Sequence, residues 1–286
     1  GNAYTPATSV TLTPNASDAL SGVNQMQFSN DGSTWSTAET YSTSGKPWTL
    51  SSGDGVKTVY ARYIDLAGNL SANATDTITL DTTAPDAPGV PTSAPNPTNA
   101  AITFTWTAAS DGSGSGVASY DYQIATDAAF SNVVSSGSVP GLSSAPFTGT
   151  SGTAYFCRVR ATDGMGMSGP YASMTSGILY DADAPNTPAA PTGSASGLDV
   201  TFDWANPGDI GGSGIDRYHV QIGTTPGGNN ILDNANLAVL TYGFTGVDTT
   251  TYYARVRCRD AAGNWSAWSS NSGGVLVNLD SQAPTV

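Results

Sequence analysis

Apolar residues in this chain fall at alternate positions in short runs, the spacing of half-buried β-strands. One run reads Ile102-Thr-Phe104-Thr-Trp106 and its echo Val200-Thr-Phe202-Asp-Trp204, so all six numbered residues are expected to face inward. The following run comes after a Ser-Gly-aliphatic step: Ser21-Gly22-Val23, Ser115-Gly116-Val117 and Ser213-Gly214-Ile215. Met26, Tyr120 and Tyr218, then Phe28, Tyr122 and Val220, continue its inward face. A late run reads Val59-Tyr-Ala61-Arg-Tyr63, Tyr155-Phe-Cys157-Arg-Val159 and Tyr252-Tyr-Ala254-Arg-Val256. Each late run closes in an Asp-x-x-Gly turn, at Asp65–Gly68, Asp163–Gly166 and Asp260–Gly263. The pattern predicts an all-β chain of three tandem β-sandwich modules in an elongated array.

The repeat also sets the boundaries. Ala-Pro dipeptides end at Pro85, Pro185 and Pro284, spaced 185 − 85 = 100 and 284 − 185 = 99 residues apart. Prolines at 85, 88, 91 and at 185, 188, 191 give two extended linkers. The modules are therefore 1–84, 85–184 and 185–286. The first is about 15 residues short of its neighbours and lacks a leading strand, whereas Ala283-Pro284-Thr285-Val286 reads as the start of another. Two explanations stand open: a segment of a longer array, or a subunit that polymerises head-to-tail by adding a strand to an open sheet edge.

Modules two and three resemble fibronectin type III domains, through the Pro-rich start, Trp106 and Trp204 on the second strand, and the Tyr-x-x-Arg-Val-Arg strand. Module one is similar to bacterial immunoglobulin-like surface repeats, through Thr8-Ser-Val-Thr-Leu12, Gln25-Met-Gln-Phe-Ser-Asn-Asp-Gly32 and Asp65-Leu-Ala-Gly-Asn-Leu-Ser71. The resemblance covers essentially the whole chain. It implies an extracellular or bacterial cell-surface location, in adhesins, surface filaments or secreted enzymes alike.

Composition narrows the classes. The 22 acidic residues are 21 Asp plus Glu39 alone, and the nine bases are seven Arg with Lys46 and Lys57, for a net charge of −13. Asp belongs to turns rather than helix interiors, and 33 Gly with 17 Pro leave no room for long helices. Helical bundles and nucleotide-binding α/β folds are excluded, as is a nucleic-acid partner, which needs a basic stripe. No apolar run approaches the roughly 18 residues of a helical membrane span.

No residue is nominated for catalysis. Cys157 and Cys258, one per module, read as buried packing thiols. His219 is the only histidine, and Glu39 has no partner for a glycosidase pair. With only Lys46 and Lys57 available, intramodule Lys–Asn isopeptide links are close to excluded. Asn30-Asp31-Gly32 reads as a hairpin turn with Trp35 folded back on it. Trp265-Ser-Ala-Trp268-Ser269, after Arg255, Arg257 and Arg259, resembles the WSxWS element of cytokine-receptor fibronectin domains. It is either a structural cation–π ladder, read as particular to module three, or a contact surface for glycan or a protein partner.

The acidic residues recur by position. Fibronectin topology implies that each junction gathers a linker carboxylate (Asp81, or Asp181 with Asp183), one from the second loop (Asp111 or Asp209) and one from the late turn (Asp163 or Asp260). Two readings stand open: each Asp caps its own turn by side-chain to backbone hydrogen bonds, or the carboxylates of each junction hold an interdomain calcium. The expected function is that of a non-catalytic extracellular structural protein: a rod-like segment of a filament, stalk or adhesin array whose partners are further modules or copies of itself. The alternative is a set of accessory glycan- or protein-binding modules of a secreted enzyme or adhesin.

Overall fold

A computed structural model describes residues 3–279; Asp280 and the Ala283–Val286 segment expected to begin another strand lie outside the described residues. Among the described residues there are only strands, turns and irregular segments, and no helix long and apolar enough to cross a membrane.

Module one contains β1 (Tyr4–Thr5), β2 (Ser9–Leu12), β3 (Val23–Ser29), β4 (Glu39–Thr40), β5 (Lys46–Thr49), β6 (Gly55–Asp65) and β7 (Ala74–Leu80). One sheet runs β1-β7-β6-β3-β4 and faces the β2-β5 pair. Met26, Phe28, Leu50, Val59 and Leu80 are buried between them. Where a leading strand was expected to be missing, β1 runs parallel to β7, pairing Tyr4 with Thr79 and Thr5 with Leu80. Clefts of about 560 and 390 Å³ still lie along the seam between β2 and β7.

Module two contains β8 (Val117–Ala125), β9 (Val133–Val139), β10 (Thr153–Asp163), β11 (Ala172–Ser173) and β12 (Ile178–Tyr180). Its main sheet runs β11-β10-β8-β9, and isolated pairs Thr92–Thr105, Ile102–Phe147 and Thr105–Ser143 hold the facing layer. Module three contains β13 (Thr192–Ser196), β14 (Asp199–Asp203), β15 (Ile215–Gly223), β16 (Leu232–Leu237), β17 (Thr241–Thr245), β18 (Thr251–Asp260) and β19 (Val275–Leu276). Its layers are β13-β14-β17 and β16-β15-β18-β19. The alternating residues behave as their parity requires: Ile102, Phe104, Trp106, Val200, Phe202 and Trp204 are all buried. Cys157 and Cys258 are free thiols in the two cores, and burial pushes both up, Cys157 to about 12.

The Ser-Gly step recurs because the chain must turn sharply into β3, β8 and β15. Gly22, Gly116 and Gly214 sit at φ of 79°, 81° and 81°, a left-handed conformation that a side chain would strain.

In module three the free edge of β18 is closed by an unusual match of periods. The N–H groups of Ser266, Ser269 and Ser272 donate to the carbonyls of Cys258, Val256 and Ala254. The hydroxyl of each serine accepts from the N–H of the same residue, at 3.0, 3.0 and 2.9 Å. Serines three apart thus serve strand residues two apart. The segment therefore advances along β18 more slowly than a paired strand would, and its serines satisfy an edge that would otherwise be left open. Ser269→Ala should cost about 1–3 kcal/mol, because the buried Val256 N–H loses its side-chain acceptor. Exposed Ser270→Ala should stay within about 0.5 kcal/mol, both read by urea denaturation.

Turns are organised by single aspartates. Asp18 accepts from the N–H groups of Ser21 and Gly22, Asp31 from Ser33 and Thr34, and Asp127 from Ser131 and Asn132. Asp65 accepts from both the side chain and the N–H of Asn69. These bonds hold all four carboxyls below their ordinary value of 3.8. A carboxyl depressed on folding adds stability above its unfolded pKa and loses it as pH falls through the folded one. The melting temperature should therefore fall as pH drops from about 5 through 3.8 and below, and fall less in an Asp31→Asn, Asp127→Asn double variant.

Candidate functional site

At the first junction three carboxylates converge. Asp81 directly follows β7, Asp111 lies in the loop before β8, and Asp163 ends β10; one carboxylate oxygen from each lies within 4.8 Å of the others. The Ser-Gly step supplies two of their donors: the Ser115 N–H donates to Asp81 Oδ2 at 2.8 Å and the Gly116 N–H to Asp111 Oδ2 at 2.7 Å. Asp163 Oδ1 accepts from the N–H groups of Met165 and Met167. The second oxygen of each, Asp81 Oδ1, Asp111 Oδ1 and Asp163 Oδ2, is buried without a partner, as is Ser115 Oγ. Burial, reinforced by the charges of Asp81, Asp163 and Asp54, raises the Asp111 carboxyl. No base forms an ion pair with the three among the described residues.

The second junction repeats the frame with different chemistry. Asp181, Asp209 and Asp260 form the equivalent triangle, and the Ser213 and Gly214 N–H groups donate to Asp181 and Asp209. Here Asn264 Nδ2 donates both to Asp260 Oδ2 and to the carbonyl of Asp181, each at 2.8 Å. Asn264 Oδ1 accepts from Asn99 of module two. Asp209 Oδ1 is the one carboxylate oxygen of this triangle left buried without a partner. Asp183, expected in this group, has an exposed side chain outside the triangle; only its N–H takes part, donating to Asp181 Oδ1. At the corresponding pole of module one, Asp18 takes the Ser-Gly amides and Asp65 the late turn.

The arginine–tryptophan ladder is formed, with one correction to its membership. Arg255 lies 4.8 Å from the Trp268 ring, and Arg257 lies 4.5 Å from Trp265 and 4.8 Å from Trp268. Arg259 stays out of the stack, its Nε donating to the Gly263 carbonyl. His219 packs 4.8 Å from Trp268, pairs with Asp233 at 2.5 Å and receives a bond from Arg257, a network hidden from sequence by its 14-residue and 38-residue separations. The ladder is also not confined to module three. Arg158 and Arg160 stack on Tyr171 in module two, and Arg62 lies 4.1 Å from the Trp35 ring in module one.

No family model matches the chain. Over 234 residues it is 34% identical to Exoglucanase B of Cellulomonas fimi, a stretch that is 74% of this chain and 20% of that protein. Over 215 residues it is 29% identical to Chitinase A1 of Niallia circulans, 72% of this chain and 28% of that protein. The chain thus spans less than a third of either relative. Among solved structures it is similar to the FN1-FN3 domains of chicken CNTN1, with TM-score 0.38, 16% identity and 96% of both chains covered. It is also similar to a run of titin domains, with TM-score 0.44, 16% identity, and 79% and 75% coverage. Strand order, register and repeat spacing identify the chain itself as a tandem array of immunoglobulin-like and fibronectin type III-like β-sandwich modules.

Proposed function

We propose that this chain is a non-catalytic accessory region of a secreted polysaccharide-degrading enzyme, in which the sandwiches hold other units at a set separation. One observation carries the reading. Nearly three quarters of the chain recurs in two proteins named for different polysaccharides, a glucan and chitin. A segment common to both is not what distinguishes the two chemistries, so it serves something they share.

The local geometry agrees. Glu39 is engaged in an ion pair with Lys46 at a module edge, and His219 is held by Asp233 and Arg257. The Trp268 ring has Arg255, Arg257 and His219 each 4.8 Å away, so its surface is spent on the ladder rather than offered to a sugar ring. Spacing, rather than gripping, is the role left to the array.

Wild type and Trp268→Ala should partition identically when mixed with microcrystalline cellulose or chitin, with no soluble sugar released by either. The variant should melt earlier, having lost two stacked cations worth about 0.5–1 kcal/mol each. Retention of the wild type that disappears in Trp268→Ala at unchanged melting temperature would make Trp268 a glycan contact. Sugar release by the wild type would end the non-catalytic reading.

A further inference from the structure

We propose that the junction between modules one and two is a calcium site, built by Asp81, Asp111 and Asp163 with Ser115 Oγ, which fastens the linker to the pole of module two. This holds whether or not the chain serves an enzyme.

The first support is orientation. Each carboxylate commits one oxygen to backbone N–H groups of its own frame: Asp81 to Ser115, Asp111 to Gly116, Asp163 to Met165 and Met167. Those bonds fix the side chains and leave the other oxygen of each free. Together with Ser115 Oγ, four buried oxygens lack any donor. Asp81 and Asp163 are 0% and 2% exposed, so solvent does not serve them. Native proteins rarely leave such groups unpaired, and three anions sharing one buried space repel unless a cation joins them.

The second support is the donor set. All four groups are oxygens, and no His or Cys lies in the triangle. Transition metals favour nitrogen and sulfur, whereas calcium takes six to eight oxygens from flexible loops and tolerates irregular geometry. A cleft of about 240 Å³ beside Asp111, lined also by Asp54, Asp86 and Ser110, gives room for waters to complete the shell.

The third support is the contrast between junctions. In the late turn, Met167 of module two stands where module three has Asn264. The Asn264 amide donates to Oδ2 of Asp260 and to the Asp181 carbonyl, so the late-turn carboxylate has a donor for each oxygen. Methionine offers no such donor, and the inner oxygen of Asp163 stays bare. The second junction leaves one carboxylate oxygen without a donor where the first leaves three, and the proposal is confined to the first.

The ligands come from the linker, a loop and a turn, and the Asp81 N–H donates to Thr5 O of module one. Occupation would thus couple the last strand of one module to the pole of the next.

Calcium titrated calorimetrically into the chelator-treated 286-residue chain should report one site. Asp163→Asn keeps Oδ1 as the turn acceptor and should weaken binding at least tenfold; Asp260→Asn should leave it within twofold. In EGTA, Asp163→Asn should melt no lower than wild type, since it removes one of three repelling charges. In calcium it should melt lower. Asp111→Asn should repeat that reversal if Asp163→Asn folds poorly. No heat and no melting shift with millimolar calcium would overturn the proposal, as would unchanged binding in Asp163→Asn and Asp111→Asn. Equal weakening by Asp260→Asn would overturn the distinction between junctions, and an equal response to magnesium alone would overturn the choice of calcium.

Discussion

The backbone N–H groups of the Ser-Gly step are the constraint on which both junctions depend. In modules two and three the serine amide holds the carboxylate arriving from the preceding linker, and the glycine amide holds the one in the adjoining loop. The same positive-φ turn that starts β8 and β15 therefore also collects negative charge from two other segments. Two amides aimed outward at the head of a sandwich make a local anion site, a small counterpart of a helix N-terminus. Once that turn is in place, the linker has one docking point and the preceding module one line of approach.

Gathering carboxylates out of water creates a debt that the fold must settle locally. At the pole of module one, Asp18 is exposed and Asp65 half-buried, and the carboxyls of both are held down by donors. At the first junction the same loop position, Asp111, is pushed the other way by burial and by its charged neighbours. The equivalent residues differ in donors as well as burial, since Asp18 accepts from Leu20, Ser21 and Gly22 while Asp111 accepts from the Gly116 N–H. At the second junction an asparagine meets that demand by hydrogen bonding and reaches across to Asn99 as well.

Much of this was legible in the chain. The repeat near 100 residues, the alternation on the paired strands and the recurring aspartates all reflect short-range rules, and Asp81, Asp111 and Asp163, like Asp181, Asp209 and Asp260, do come together. The departures have physical causes. Asp183 is two residues from Asp181, where a regular strand would put both on one face, but the chain is irregular there and brings the Asp183 N–H, not its exposed side chain, to Asp181. Arg259 shares the parity of Arg255 and Arg257, yet the turn at Gly263 gives its guanidinium a closer carbonyl. Tyr171 serves as stacking platform for Arg158 and Arg160 without any WSxWS pattern to mark it in the chain. Asp233 lies in β16, a neighbouring strand, and only strand pairing brings it to His219.

The difference between the junctions also bears on how an array of this kind keeps its shape. Sandwich modules are stiff, so the reach of the array is set at its joints, where few residues carry the load. Proline linkers restrict the path of the chain but leave its rotation about the pole open. At the second joint an amide ties one carboxylate to the linker carbonyl and to module two, adding hydrogen bonds that the first joint lacks. The two joints differ through the side chain at Met167 and Asn264, while the Ser-Gly frame beneath them stays the same. One architecture thus carries two different closures, and the residue that follows the late-turn glycine, Met167 or Asn264, distinguishes them.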